Sequence, residues 1–96
     1  MDERLAAVIE QSGAGRARIV PHGPVGQTYP RVFGYLDAPG LARRVQAAMR
    51  EKHIYIGLEE AENAVYCSPL NLTEDECAAV EQALAECLRA GQEGTL

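Results

Sequence analysis

The sequence predicts an α+β protein, a two-layer sandwich with a βαββα core. The sheet is antiparallel or mixed, the helices pack on one face, and an extra helix stands at the N-terminus. Three observations predict it. Apolar residues recur at helical spacing in three stretches: Leu5, Val8 and Ile9; Leu41, Val45, Ala48 and Met49; and Cys77, Val80, Leu84, Cys87 and Leu88. Between them lie short runs with strand character. Glycine and proline clusters mark the boundaries. At 96 residues the chain is one small domain that buries about two-thirds of its unfolded surface.

The elements follow in order. Residues 1–12 carry the N-terminal helix, read from Asp2 to Gln11 and ended by Ser12-Gly13-Ala14-Gly15. Ala17 to Val20 is a short, weak strand. Residues 21–30, PHGPVGQTYP, hold three prolines and two glycines and form a loop that is long for so small a domain. Residues 31–90 form the core. Arg31 to Leu36 is a strand in which Gly34 marks a bulge or a close backbone approach. Asp37 caps the next helix, with Pro39 in its first turn, and the helix runs to Lys52. Ile54, Ile56 and Leu58 alternate as in a half-buried strand. Glu59 to Asn63 is an acidic, solvated turn, and Ala64 to Cys67 is the returning strand. The clearest signal comes last. Thr73 and Glu76 form a capping box, Leu72 and Cys77 flank it as a hydrophobic staple, and Glu74, Asp75 and Glu76 place negative charge in the first turn. Residues 91–96 read as a frayed tail.

Composition narrows the function classes. The net charge of −5 leaves no basic excess to neutralise phosphates, which argues against nucleic acid and against anionic membrane surfaces. No apolar run reaches transmembrane length, and the charged, amphipathic N-terminus does not read as a signal peptide. Three cysteines, Cys67, Cys77 and Cys87, without C-x-x-C spacing favour reduced thiols and a cytoplasmic location.

Candidate chemistry is sparse. His53 sits at a helix-to-strand corner, where a cation complements the helix C-terminus. His22, Gln27 and Tyr29 lie in the proline-rich loop and are its contact candidates, beside the simpler reading of a solvated loop. Cys77 and Cys87 fall on a buried helix face. Cys67 has no histidine near it in sequence. No spacing suits a metal site or a phosphate loop. Lys52, the chain's lysine, reads as a solvated charge and not as a Schiff-base group.

Leu41 to Leu88 resembles the C-terminal small domain of class III PLP-dependent aminotransferases. Ala42 to Lys52 looks like that family's helix, His53 stands in the place of its usual glycine, and Ile54 to Leu58 looks like its strand. Ser68-Pro69-Leu70-Asn71-Leu72-Thr73-Glu74-Asp75-Glu76 is similar to its PPL-x-I-T-E-E-E turn. The family's first proline is Ser68 here, and its frequent upstream arginine is Val65. The resemblance implies a small domain without the large domain that carries the PLP lysine and the pyridine-binding aspartate. On that reading the chain is a stand-alone accessory or interaction module, not an enzyme by itself, and PLP enters only through a separate partner subunit. Gly34-Tyr35-Leu36-Asp37-Ala38-Pro39-Gly40-Leu41-Ala42 resembles a second family, the ACT regulatory domains. That resemblance implies a small amino acid bound at Asp37, Pro39, Gly40 and Leu41, at the interface of a homodimer. A pure protein-assembly module that uses the 21–30 loop is the third expectation.

Overall fold

Strand β2, Arg31–Leu36, buries every second residue. Val32, Gly34 and Leu36 face inward while Phe33 and Tyr35 face out. This period of two builds the protein into two layers. The computed structural model describes residues 2–20, 31–68 and 72–96. Helix α1 (Asp2–Ser12) leads into β1 (Gly15–Val20) and β2, then α2 (Leu41–Glu51), β3 (Gly57–Glu59), a 3-10 turn at Glu60–Glu62, β4 (Ala64–Cys67) and α3 (Glu74–Glu93). The strand order is β1-β2-β4-β3, and every neighbouring pair is antiparallel. The predicted α+β class and one-sided helical layer are therefore present. The weak strand becomes a full sheet member that starts at Gly15, two residues before Ala17.

One apolar cluster joins the two layers. It combines Leu5 and Ile9 of α1, Leu41, Val45 and Met49 of α2, Val80, Leu84 and Leu88 of α3, and Val32, Leu36 and Val65 of the sheet. The close approach at Gly34 is that of α1: a Cβ there would stand 2.9 Å from Ile9 Cδ1. Arg4 ties α1 to α3 through Glu74 and, at 3.0 Å, Glu81. Both ion pairs are partly exposed and add little to stability.

The start of α2 departs from expectation. Asp37 is not its cap; the Asp37 amide donates to the Ala14 carbonyl (3.0 Å). The N-cap is Gly40, left-handed at φ 73°, with no side-chain cap of its own. Asn63, which precedes β4 beside the end of β2, replaces the local cap. Its Oδ1 accepts from the Ala42 amide (3.0 Å), and its Nδ2 donates to the Leu36 and Ala38 carbonyls (2.8 and 2.7 Å). Asn63 is itself left-handed, at φ 52°. The turn expected to be merely solvated thus ends in a staple that binds β2, α2 and β4 together.

The end of α2 is a Schellman motif. The His53 amide donates to Arg50 O (2.9 Å) and the Ile54 amide to Met49 O (3.0 Å). His53 occupies the left-handed position, φ 64°, that glycine usually takes. His53→Gly should therefore stabilise the protein by about 0.5–1 kcal/mol, because glycine pays no Cβ penalty there. A thermal melt reads this directly, and a lower melting temperature would contradict it.

Two further boundaries move. Ile54 and Ile56 are half-buried and pack against the core, but the paired strand is only Gly57–Glu59. Alternation at 54–58 reports burial, not a hydrogen-bonded ladder. Helix α3 continues to Glu93 and closes on a left-handed Gly94, with the Thr95 amide on Ala90 O (2.9 Å). The first half of the expected frayed tail is thus helix. Gly91 permits it, since a Cβ there would meet Leu41 Cδ1 at 2.5 Å.

Candidate functional site

The helices cover one face of the sheet; on the other face Arg16, Arg18 and Glu59 are exposed and Phe33, Tyr35 and Tyr66 are half-buried. Cross-strand partners in an antiparallel sheet point the same way, so the register defines what this outer face carries. Arg18, Phe33, Tyr66 and Gly57 form one row; Arg16, Tyr35, Ala64 and Glu59 form the next. Phe33 stacks on Tyr35 with ring centroids 6.0 Å apart and packs against Tyr66 at 5.1 Å. The Arg31 guanidinium lies over the Tyr66 ring at 5.4 Å, a cation–π contact. Gly57 has no side chain because that ring occupies its place: a Cβ would come within 2.1 Å of it.

At one end of this face a groove of about 460 Å³ opens between β4, the segment leading into β3, and the N-terminal half of α3. His53, Tyr55, Cys67, Leu72, Glu76 and Ala79 stand on its walls. Tyr55 is 74% exposed, the one large apolar side chain in the open among the described residues. An exposed tyrosine at a groove mouth suits protein contact, where aromatic anchors dominate binding energy.

Glu76 plays a structural part in the groove. The Glu76 carboxylate is held in the capping box. It accepts from the Thr73 amide (2.9 Å), while the Glu76 amide donates to Thr73 Oγ1 (3.1 Å). The Thr73 backbone bond, then its hydroxyl, hold the Glu76 carboxyl below the ordinary value of 4.5, so it is no proton donor near neutrality. A depressed folded-state pKa gives stability that is present above the unfolded value and lost as pH falls through the folded one. Urea melts of wild type and Glu76→Gln should therefore differ near neutral pH and converge on acidification. A gap that stays constant would contradict this.

The other thiols are quiet. Burial, then the hydrogen bond to Glu81, pushes the Cys77 thiol up, and burial pushes Cys87 up. Such thiols are poor nucleophiles. Among the described residues, no three His, Cys, Asp or Glu side chains gather to hold a metal ion. No helix there is long and apolar enough to cross a membrane.

The expected ligand residues are placed as follows. Asp37, Pro39, Gly40 and Leu41 come together at the start of α2. The amides there are largely engaged: Leu41 N–H on Ala38 O (3.1 Å), Ala42 N–H on Asn63 Oδ1 (3.0 Å) and Arg44 N–H on Gly40 O (3.4 Å). Leu41 itself is buried. His22, Gln27 and Tyr29 lie outside the described residues. What sequence reasoning missed is the outer sheet face. Its signal was the outward set Arg16, Arg18, Phe33 and Tyr35, visible once β1 is paired with β2.

No family model matches the chain, and no curated protein or solved structure matches it.

Proposed function

We propose that the chain is an aminotransferase-like small domain that works as an interaction module and seats a separate PLP-binding subunit in its end groove. One observation carries this reading. Apart from Arg31 of β2, the groove walls come from residues between His53 and Val80, a span that lies within Leu41 to Leu88, where the aminotransferase resemblance rests. The left-handed His53 at the family's usual glycine place, and the Thr73–Glu76 box in its turn, support the same reading. PLP does not fit this chain alone. Lys52 is exposed and pairs with Glu86 (3.4 Å), a solvated charge and not a buried amine. The ACT-like reading has less support, since the amides that would meet an amino acid are engaged within the chain.

The test uses the folded chain as bait, alone and as Tyr55→Asp and Ala79→Arg. The expected result is capture of a PLP-bearing protein, recognised by a borohydride-trapped pyridoxyl adduct on that protein, and loss of capture with both variants. An adduct on Lys52 of this chain, or capture indifferent to both substitutions, would overturn the reading.

A further inference from the structure

We propose that the outer edge of β1 takes an extended segment of a partner protein as an added antiparallel strand. The segment carries carboxylates at two alternate positions, opposite Arg16 and Arg18, and a basic residue between them, opposite Ala17. The argument starts from the direction of the backbone groups. The Asp37 amide donates to the Ala14 carbonyl (3.0 Å). Ala14 and Asp37 are thus a hydrogen-bonded pair, one step beyond Gly15–Leu36 in the register. Such pairs recur at every second residue of an antiparallel ladder. Arg16, Arg18 and Val20 therefore turn their N–H and C=O groups to β2, while Gly15, Ala17 and Ile19 turn theirs outward. β1 is an end strand of the sheet. The other end strand, β3, has 3 residues against the 6 of β1.

A side chain already stands where the partner would bond. The Ala17 amide donates to Glu10 Oε1 (2.7 Å), so the Glu10 carboxylate holds the place of an incoming carbonyl. An edge of this kind is a template for strand addition.

The side chains set the partner's chemistry. Arg16 and Arg18 are exposed, and among the described residues neither is in an ion pair. They stand two residues apart on one face, so residues i and i+2 of the added strand lie opposite them. The residue between lies opposite Ala17 and points, as Ala17 does, to the helix side. There the partner's carbonyl releases Glu10 from the Ala17 amide, and a basic side chain meets the released carboxylate. A hollow of about 530 Å³ bordered by Glu10, Arg16, Ala17 and Arg18 gives room. Glu62 borders it too, but from the turn before β4, on the far side of β2 from the added strand. A second copy fits poorly: β1 against β1 about a two-fold axis at Ala17 sets Arg16 opposite Arg18. A nucleic-acid strand lacks the alternating N–H and C=O groups that Ala17 and Ile19 would meet. No described wall of the end groove belongs to β1, so the proposal does not rest on the PLP-subunit reading.

The experiment titrates the full chain into a labelled, end-blocked peptide, Thr-Val-Glu-Lys-Glu-Val-Thr, by fluorescence anisotropy, with amide NMR to locate the site. Saturable binding below about 1 mM is expected, with shifted and slower-exchanging amides at Ala17 and Ile19. N-methylating the peptide's lysine, whose N–H would bond the Ala17 carbonyl, should weaken binding about tenfold or more. N-methylating either glutamate, whose N–H points away, should change it less than about twofold. Arg16→Glu and Arg18→Glu, each checked for fold by circular dichroism, should weaken binding about fivefold, because each sets like charges opposite. No binding at about millimolar concentration would overturn the proposal. So would equal loss from all three N-methylations, or shifts confined to Tyr55 and Ala79 of the end groove. Wild type that ignores the peptide but binds labelled oligo(dT), and loses it with Arg16→Glu, would overturn it in favour of nucleic acid.

Discussion

Replacing Asn63 by alanine should lower the unfolding free energy by about 3 kcal/mol, a large share of what so small a domain has. The substitution removes three side-chain hydrogen bonds, to Ala42 N, Leu36 O and Ala38 O. It also forces a Cβ-bearing residue without a local partner to hold φ 52°. Asn63→Gly separates the two effects. It loses the same bonds but is free of strain, and should recover about 1 kcal/mol of the loss. Asn63→Asp keeps the acceptor for Ala42 but turns an oxygen toward two carbonyls. Its carboxyl should titrate above the usual value in the fold, so the variant is less unstable below that pKa and loses stability as pH rises through it. Urea denaturation measures all three. A loss below about 1 kcal/mol for Asn63→Ala would mean that water replaces the staple.

Gly15→Ala should cost about 3 kcal/mol, the upper end for added bulk. A Cβ at Gly15 would stand 2.0 Å from Tyr35 O and 2.9 Å from Leu36 Cα. Both are backbone atoms of the paired strand and cannot rotate away. The contrast is Gly91→Ala, where the obstacle is the Leu41 side chain; that change should cost clearly less. Relief requires β1 to part from β2 at the Gly15–Leu36 pair. Amide exchange in β1 should accelerate more than in β4, and equal acceleration throughout would show that the strain spreads through the sheet.

Local signals were legible in the sequence and distant ones were not. The capping box at Thr73 and Glu76 lies within four residues, and the structure makes both bonds. The apolar stripes of the three helices lie in the core or pack against it, and Cys77 is fully buried. Asp37 was a plausible cap by type, but a residue 21 positions away from Ala42 supplies the bond. Asn63 carried one faint clue, its tolerance of left-handed backbone at the end of a turn. Ile54 and Ile56 show why β3 was misplaced: their alternation marks packing, and pairing depends on where β4 lies. The outer sheet face was hidden for a related reason. Its rings and arginines come from three strands, and only the pairing register assembles them into rows. The groove was not legible: among the described residues no expected site residue lines it, and its walls meet only once β4, the segment before β3 and α3 are placed together.

The strand order carries a consequence for how the chain finds its fold. Pairs β1–β2 and β3–β4 join strands that are neighbours in sequence, whereas β2–β4 matches Val32 with Cys67 across the whole of α2. The sheet is thus two short-range hairpins closed by one long-range seam. Each hairpin costs little chain entropy to form; the seam costs more and comes later. Asn63 bonds across that seam, so its staple forms as the halves meet. Its loss should show mainly as faster unfolding, while the folding rate stays close to that of the wild type.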